Sequence, residues 1–130
     1  LTGQCGLKES EIAANLMGLA HNVLDPLKQA YPDLEVLSAF RKDDGSGNKG
    51  PHFIGTAADI RLKGATKAEM FEFAQKGKSL VPFDQMGLIS TTYNSMDWLH
   101  ISFNNDGKNR GEVYTMHNHK KIGDGLIQLI

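Results

Sequence analysis

Three residues in the middle of the chain are of the types that bind a catalytic zinc ion. His52 and Asp59 lie seven positions apart, and His100 follows Asp97 by three positions. A catalytic zinc site uses three protein ligands, often imidazole nitrogens and a carboxylate, and leaves a fourth position for water. His52, Asp59 and His100 could supply those ligands, and Asp97 could act as a base on the water. The combination predicts metal-assisted hydrolysis.

Alternating sequence patterns place two of these residues on strands. In 58–62 and 98–103, apolar residues alternate with a second set that contains Asp59 in the first segment and His100 in the second. We therefore expect two strands, with both side chains on the face away from the apolar residues. If the strands are neighbours, both residues face one cleft. Asp97 has the opposite parity to His100, so it reaches a shared metal only if the chain twists or bulges there.

A spacing of seven is too long for His52 and Asp59 to be neighbours on a helix turn or a tight strand, but they can converge if a loop folds His52 back onto the strand of Asp59. Gly55 would allow such a close approach, since it lacks a side chain. The preceding stretch 42–51 is rich in Gly, Asp, Asn and Ser and separates Arg41 from His52. We expect a mobile loop there, where substrate specificity or gating could reside.

Each of these residues also has an ordinary structural interpretation. In a chain with five histidines, a His-to-Asp spacing of seven is mostly coincidence, and an isolated Arg41 is typical of a surface or an ion pair. A tryptophan such as Trp98 usually lies in a protein core or in the wall of a cleft. His117 and His119 form a competing His-x-His pair, but no carboxylate is placed to complete that set, so we interpret the segment as a solvated turn. Only the joint occurrence of the motifs favours a metal site.

The motifs taken together resemble the zinc D,D-peptidase family. The three main motifs are Ser38-Ala39-Phe40-Arg41, His52-x-x-Gly55-x-Ala57-x-Asp59 and Asp97-Trp98-Leu99-His100. They occur in the family's order. The family comprises D-alanyl-D-alanine carboxypeptidases and dipeptidases, and it includes phage L-alanyl-D-glutamate endopeptidases. Two further motifs resemble its short phage-type branch: Phe83-Asp84-Gln85 and Asn109-Arg110. The resemblance covers most of the chain, from about residue 12 to about residue 114.

The resemblance implies a role for each matching residue. His52, Asp59 and His100 would be the ligands of a zinc ion (Zn²⁺). Asp97 would be the catalytic acid/base, a position that is Glu in many members, and Arg41 would hold the substrate carbonyl or the developing oxyanion. The implied activity is hydrolysis of the stem peptide of bacterial peptidoglycan next to a D-amino acid. Which bond is cut, and whether the action is endo or exo, stays open.

Helical spacing, alternation and turn signals predict an α+β domain. The expected fold has a central antiparallel sheet with helices packed mainly on one face, as in the hedgehog/D,D-peptidase fold that the resemblance implies. The expected elements are a helix from residue 10 interrupted at Asp25-Pro26 and resumed to about 31, a strand 34–40, a helix 66–75 opened by a capping box, and strands 86–91, 98–103 and 112–116 with a turn at 104–107.

Composition narrows the class of protein. A chain of 130 residues fits one domain, 1–130, and its formal charge of −1 argues against binding nucleic acid by phosphate neutralisation. No apolar run is long enough to cross a bilayer. Cys5 is the single cysteine, so no internal disulfide forms.

The beginning of the chain suggests a biological setting. It begins at Leu1 with neither an initiator Met nor a signal-peptide pattern, so we expect a domain excised from or processed out of a larger protein. Phage lysis enzymes (endolysins) and virion tail proteins carry such domains, which suggests the virion tail or the bacterial periplasm and cell wall. The alternative is a non-catalytic, zinc-containing module of a phage tail that binds cell wall or is structural.

Overall fold

The computed structural model describes residues 9–39, 55–92, 97–118 and 120–127. Within these ranges the chain is mixed α/β, with a six-stranded sheet. The elements are α1 (Glu9–Leu19), a π-helical turn (Ala20–Leu24), α2 (Asp25–Ala30), β1 (Leu34–Ser38), β2 (Ala57–Leu62), α3 (Lys67–Leu80), β3 (Gln85–Ser90), β4 (Trp98–Ser102), β5 (Glu112–His117) and β6 (Lys120–Asp124). The expected combination of helices and sheet is confirmed. None of the helices in the described ranges is long and apolar enough to cross a membrane.

The helical stretch 9–30 changes its hydrogen-bonding pattern just before Pro26. Proline has no N–H, and its ring crowds the carbonyl group four residues earlier. The chain accommodates this with the π-helical turn, in which the Asp25 N–H donates to the Ala20 carbonyl, five residues back. The expected interruption is therefore a change of helix type, and α2 continues in the same stretch.

A capping box starts α3 where the sequence predicts it. The Thr66 hydroxyl accepts a hydrogen bond from the Glu69 N–H at 3.2 Å, and the Glu69 carboxylate accepts one from the Thr66 N–H at 3.0 Å. Two N–H groups that the helix itself leaves unpaired are thereby satisfied. α3 ends at Leu80, five residues beyond the expected end, with Phe73 in the core.

The strand order across the sheet is β1-β2-β4-β3-β5-β6. The expectation of an entirely antiparallel sheet is wrong at one pair, because β3 and β5 run parallel. The expected turn is present, with the Gly107 N–H donating to the Asn104 carbonyl at 3.1 Å. It does not join neighbouring strands, however: the chain leaves β4, passes β3 and forms β5 on the far side. A turn signal fixes a local reversal but not which strand the chain pairs with next.

The hydrophobic core combines alternate strand residues with residues from the helices. Its members include Leu19, Val23 and Leu27 from the stretch 9–30, Met70, Phe73 and Ala74 from α3, and Ala58, Ile60, Met86, Leu88, Leu99 and Ile101 from the strands. The strand residues in this set have the parity that the alternation predicts for β2 and β4. Asp59 and His100 have the other parity, so they lie on the opposite face of the sheet.

Two further places differ from or refine the sequence-based picture. The segment that the sequence suggests is a solvated turn lies between β5 and β6; Asn118 there has a φ of 50°, and His119 lies outside the described residues. Gly55, at a φ of 81°, closely approaches α1, since a Cβ atom there would lie 2.9 Å from the Ile12 carbonyl oxygen. A side chain at residue 55 would therefore be strained by both its backbone conformation and its contacts.

Candidate metal centre and its surroundings

Asp59 and His100 are brought together by strand pairing. β2 and β4 are antiparallel neighbours, and Asp59 is the direct partner of His100 in their register. The Asp59 Oδ1 atom lies 3.2 Å from the His100 Nδ1 atom. The two strands are thus neighbours, which is the condition under which the alternation of the sequence places Asp59 and His100 on one face.

The distance between these two atoms fits a shared metal ion as well as a hydrogen bond. Two ligands of one tetrahedral zinc, each bonded at about 2.0–2.2 Å, lie about 3.3–3.6 Å apart. The observed 3.2 Å is close to that spacing. A carboxylate oxygen and an imidazole nitrogen are also donors that zinc accepts. Both side chains are largely buried, which favours a fixed geometry.

The other proposed site residues on the 41–52 stretch lie outside the described residues. These are His52, the third proposed ligand, Arg41, the proposed oxyanion contact, and the expected loop at 42–51. Within the described ranges no group of three or more His, Cys, Asp or Glu side chains gathers in a way that could hold a metal. The pair Asp59 and His100 is the part of the proposed set that the structure describes.

Asp97 is held by a lysine from the start of α3. Its Oδ1 atom lies 2.6 Å from the Nζ atom of Lys67, and the Asp97 side chain is only 3% exposed. Asp97 directly precedes β4 and has the same parity as the core residue Leu99, and α3 contributes to that core. The ion pair therefore anchors the beginning of β4 to α3. The spacing of residues along the chain gave no signal for Lys67, which is thirty positions away.

A row of directly paired residues crosses the sheet at the level of Asp59 and His100. Paired residues in neighbouring strands point to the same face. From one edge to the other, the row contains Ser38, Asp59, His100, Gly87, Tyr114 and Asp124. The row carries polar groups on the face away from the core, interrupted by one glycine.

Tyr114 is a residue of this row that motif analysis did not identify. Its ring covers Gly87, since a Cβ atom at residue 87 would lie 2.4 Å from the Tyr114 Cε2 and Cζ atoms. Burial raises the pKa of the Tyr114 hydroxyl, and the negative charges of Asp59 and Glu112 raise it further. The hydroxyl is therefore neutral at physiological pH and lies in the electrostatic environment of Asp59. The sequence shows no signal for this position, because it arises from a parallel strand pair.

Asp84, from one of the two phage-type motifs, has a structural role. Both of its carboxylate oxygens accept hydrogen bonds from the Arg110 guanidinium, at 2.9 and 2.8 Å, and the Arg110 N–H donates to it as well. This hydrogen bonding lowers the pKa of Asp84, against the opposing effect of its burial. The Asp84 and Arg110 motifs of the resemblance thus join the beginning of β3 to the loop before β5.

His117 also differs from its sequence interpretation. It is the last residue of β5, and its Nδ1 atom lies 2.8 Å from the buried Ser90 hydroxyl. Its Nε2 atom lies 3.3 Å from the Asn118 side chain. Both ring nitrogens therefore contact protein groups, so this residue is not on a solvated turn. The other member of the His-x-His pair, His119, lies outside the described residues.

Comparisons of the chain with protein-family models, curated proteins and solved structures gave no match.

Proposed function

We propose that this protein is a zinc-dependent peptidase of the D,D-peptidase type that hydrolyses a stem-peptide bond of bacterial peptidoglycan next to a D-amino acid. The motifs of the sequence are the basis of the family assignment. We further propose that the domain acts as part of a phage lysis or tail protein, at the virion tail or in the bacterial periplasm and cell wall. Its partner is the stem peptide, and neither nucleic acid nor a membrane is required.

The direct pairing of Asp59 with His100 is the single observation that carries the proposal. These residues are 41 positions apart, yet their side chains meet at 3.2 Å on one face of the sheet. Both residues belong to the motifs of the resemblance, which depend only on local sequence. A coincidental resemblance would not by itself place the two residues directly opposite each other in paired strands.

The architecture is compatible with the proposed hedgehog/D,D-peptidase-like fold. Residues of the stretch 9–30 and of α3 share one hydrophobic core with alternate residues of β2, β3 and β4. We infer that the helices pack mainly on that face of the sheet. The opposite face, with Asp59 and His100, would then be the side on which a substrate binds.

The proposed chemistry assigns one task to each residue. His52, Asp59 and His100 would hold a zinc ion, which supplies a Lewis acid for the scissile carbonyl and acidifies a water molecule. Asp97 would take a proton from the attacking water and give it to the leaving amine. The Arg41 guanidinium would stabilise negative charge on the carbonyl oxygen.

Metal content and turnover measured on the same preparations test the proposal. We expect about one zinc per chain by plasma mass spectrometry, and new amino termini released from purified sacculi, both lost on chelation and regained with added zinc. His100→Ala should reduce zinc content and abolish turnover. The control is His21→Ala, since His21 is an exposed residue of the helical stretch 9–30 and should leave both unchanged. Wild-type chain without zinc after reconstitution would refute the ligand assignment.

One observation favours a second candidate, a zinc-containing module that binds cell wall or a partner protein without cleaving it. The carboxylate of Asp97 already has a cationic partner in Lys67, at 2.6 Å. A group engaged in this way can serve to fix β4 and need not transfer protons. Sacculi that bind the zinc-loaded protein and stay intact would support this candidate over the peptidase.

A further inference from the structure

Tyr114 lies close to the candidate metal centre. In the row of paired residues across the sheet, a single glycine lies between Tyr114 and His100. Gly87 of β3 is the direct partner of His100 in β4 and of Tyr114 in β5. Directly paired side chains have Cβ atoms about 4.5–5.5 Å apart. Tyr114 therefore lies two strands away from His100. The residue between them, Gly87, has no side chain.

The Tyr114 side chain occupies the space above Gly87. A Cβ atom at residue 87 would lie 2.4 Å from the Cε2 and Cζ atoms of Tyr114 and 2.7 Å from its hydroxyl oxygen. The distal end of the ring therefore lies over β3, directed from β5 toward β4. This position places the hydroxyl over Gly87, the direct partner of His100 in the neighbouring strand.

The hydroxyl is available to a ligand. In the part of the chain that the structure describes, it has no hydrogen-bond partner, and Tyr114 is only half-buried. The carboxylate of Asp59 acts on it electrostatically. A neutral phenol is a hydrogen-bond donor, and such donors stabilise an oxygen that acquires negative charge during peptide hydrolysis.

We propose that the Tyr114 hydroxyl donates a hydrogen bond to the carbonyl oxygen of the substrate bound at Asp59 and His100. Gly87 is the residue that permits this contact, because any side chain there would displace the ring. The inference rests on the proposed peptidase function and adds a catalytic residue to it.

Two substitutions test the contact, together with a control on another tyrosine. Tyr114→Phe removes the hydroxyl and keeps the ring, and it should lower kcat by about 10²-fold, as removal of one oxyanion donor does, with little change in KM. Gly87→Ala should cause a similar loss by displacing the ring. The double variant should lose no more than either single one. Tyr31→Phe is the control, since Tyr31 packs edge-on against Phe73 in the core.

A binding measurement provides a readout that does not depend on turnover. A phosphinate dipeptide carries a tetrahedral anionic group like that of the reacting carbonyl. Calorimetry with zinc-loaded protein should show about tenfold weaker phosphinate binding for Tyr114→Phe than for wild type. Zinc content and the melting temperature should stay the same, which excludes a merely structural effect.

The outcomes separate this inference from the function on which it rests. Wild-type turnover and wild-type phosphinate affinity in Tyr114→Phe would overturn the role of Tyr114 and leave the peptidase in place. Additive losses in the double variant would overturn the proposed dependence on Gly87. A wild-type protein that takes up no zinc would overturn the proposed function, and this inference with it.

Discussion

Removing the lysine partner of Asp97 tests whether that carboxylate is a base or only an anchor. The Asp97 side chain is 3% exposed, whereas the Lys67 side chain is 36% exposed and 2.6 Å away. Lys67→Met keeps much of the aliphatic stem and removes the charge. It leaves a buried carboxylate without its cation, whereas Asp97→Asn removes the negative charge and keeps the shape.

The burial of Asp97 and the partial exposure of Lys67 set the expected loss of stability in Lys67→Met. A hydrogen bond to a charged group contributes about 1.5–3 kcal/mol, and the partial exposure of Lys67 favours the lower end, about 1.5–2 kcal/mol. For a domain of this size the loss corresponds to a fall in Tm of about 5–7 °C. If Asp97 is the base, Asp97→Asn lowers kcat by about 10²–10⁴-fold, and Lys67→Met lowers it far less.

Thermal unfolding by circular dichroism and turnover on sacculi, both on zinc-loaded protein, measure the two effects separately. Turnover is compared at a temperature where every variant is folded. The control is Lys76→Met, because Lys76 lies on the same helix and pairs with Glu72 on the exposed surface at 3.1 Å, so its loss should leave Tm almost unchanged.

Two results would contradict the proposed role of Asp97 and of its ion pair with Lys67. Equal losses of turnover in Lys67→Met and Asp97→Asn would mean that Asp97 acts only through the ion pair, as an anchor of β4. An unchanged Tm in Lys67→Met would mean that the ion pair of Lys67 with the buried carboxylate does not stabilise the folded protein.

Two local structures should respond to substitution or pH in defined directions. Because Arg110 lowers the pKa of Asp84 in the folded state, this pair stabilises the protein above the ordinary carboxyl pKa of 3.8 and ceases to do so as pH falls through the lower folded value. The Tm of Arg110→Met should therefore be lower than that of wild type at pH 7, and the difference should disappear in strong acid. The control is Lys121→Met, at an exposed ion pair, whose Tm should differ little from that of wild type at either pH. A difference that persists undiminished in acid would contradict the assignment of the pKa shift. Thr66→Ala should lower the free energy of unfolding by about 1 kcal/mol in urea titration, since it removes the cap of α3, and Thr66→Ser should restore most of it. Equal stability of Thr66→Ala and wild type would show that the capping box contributes nothing.

Local patterns in the sequence predicted much of the secondary structure and the strand positions of two candidate ligands. The alternation around Asp59 and His100 predicted both strands and their faces, because side chains on a strand alternate regardless of its neighbours. The capping box predicted the start of α3, since its hydrogen bonds join Thr66 to a residue only three positions away. Pro26 predicted a helix disturbance, because its effect reaches only one turn back.

Long-range packing, and not local sequence, sets which strands pair and which residues surround the candidate site. The parallel pairing of β3 with β5, and the strand β6 beyond it, depend on how the core packs and not on any local signal. That pairing places Tyr114 over Gly87, and the packing of α3 brings Lys67 to Asp97. Such contacts join residues about thirty positions apart. The sequence therefore indicated residues that could do chemistry, and the long-range packing decided which other groups act on them.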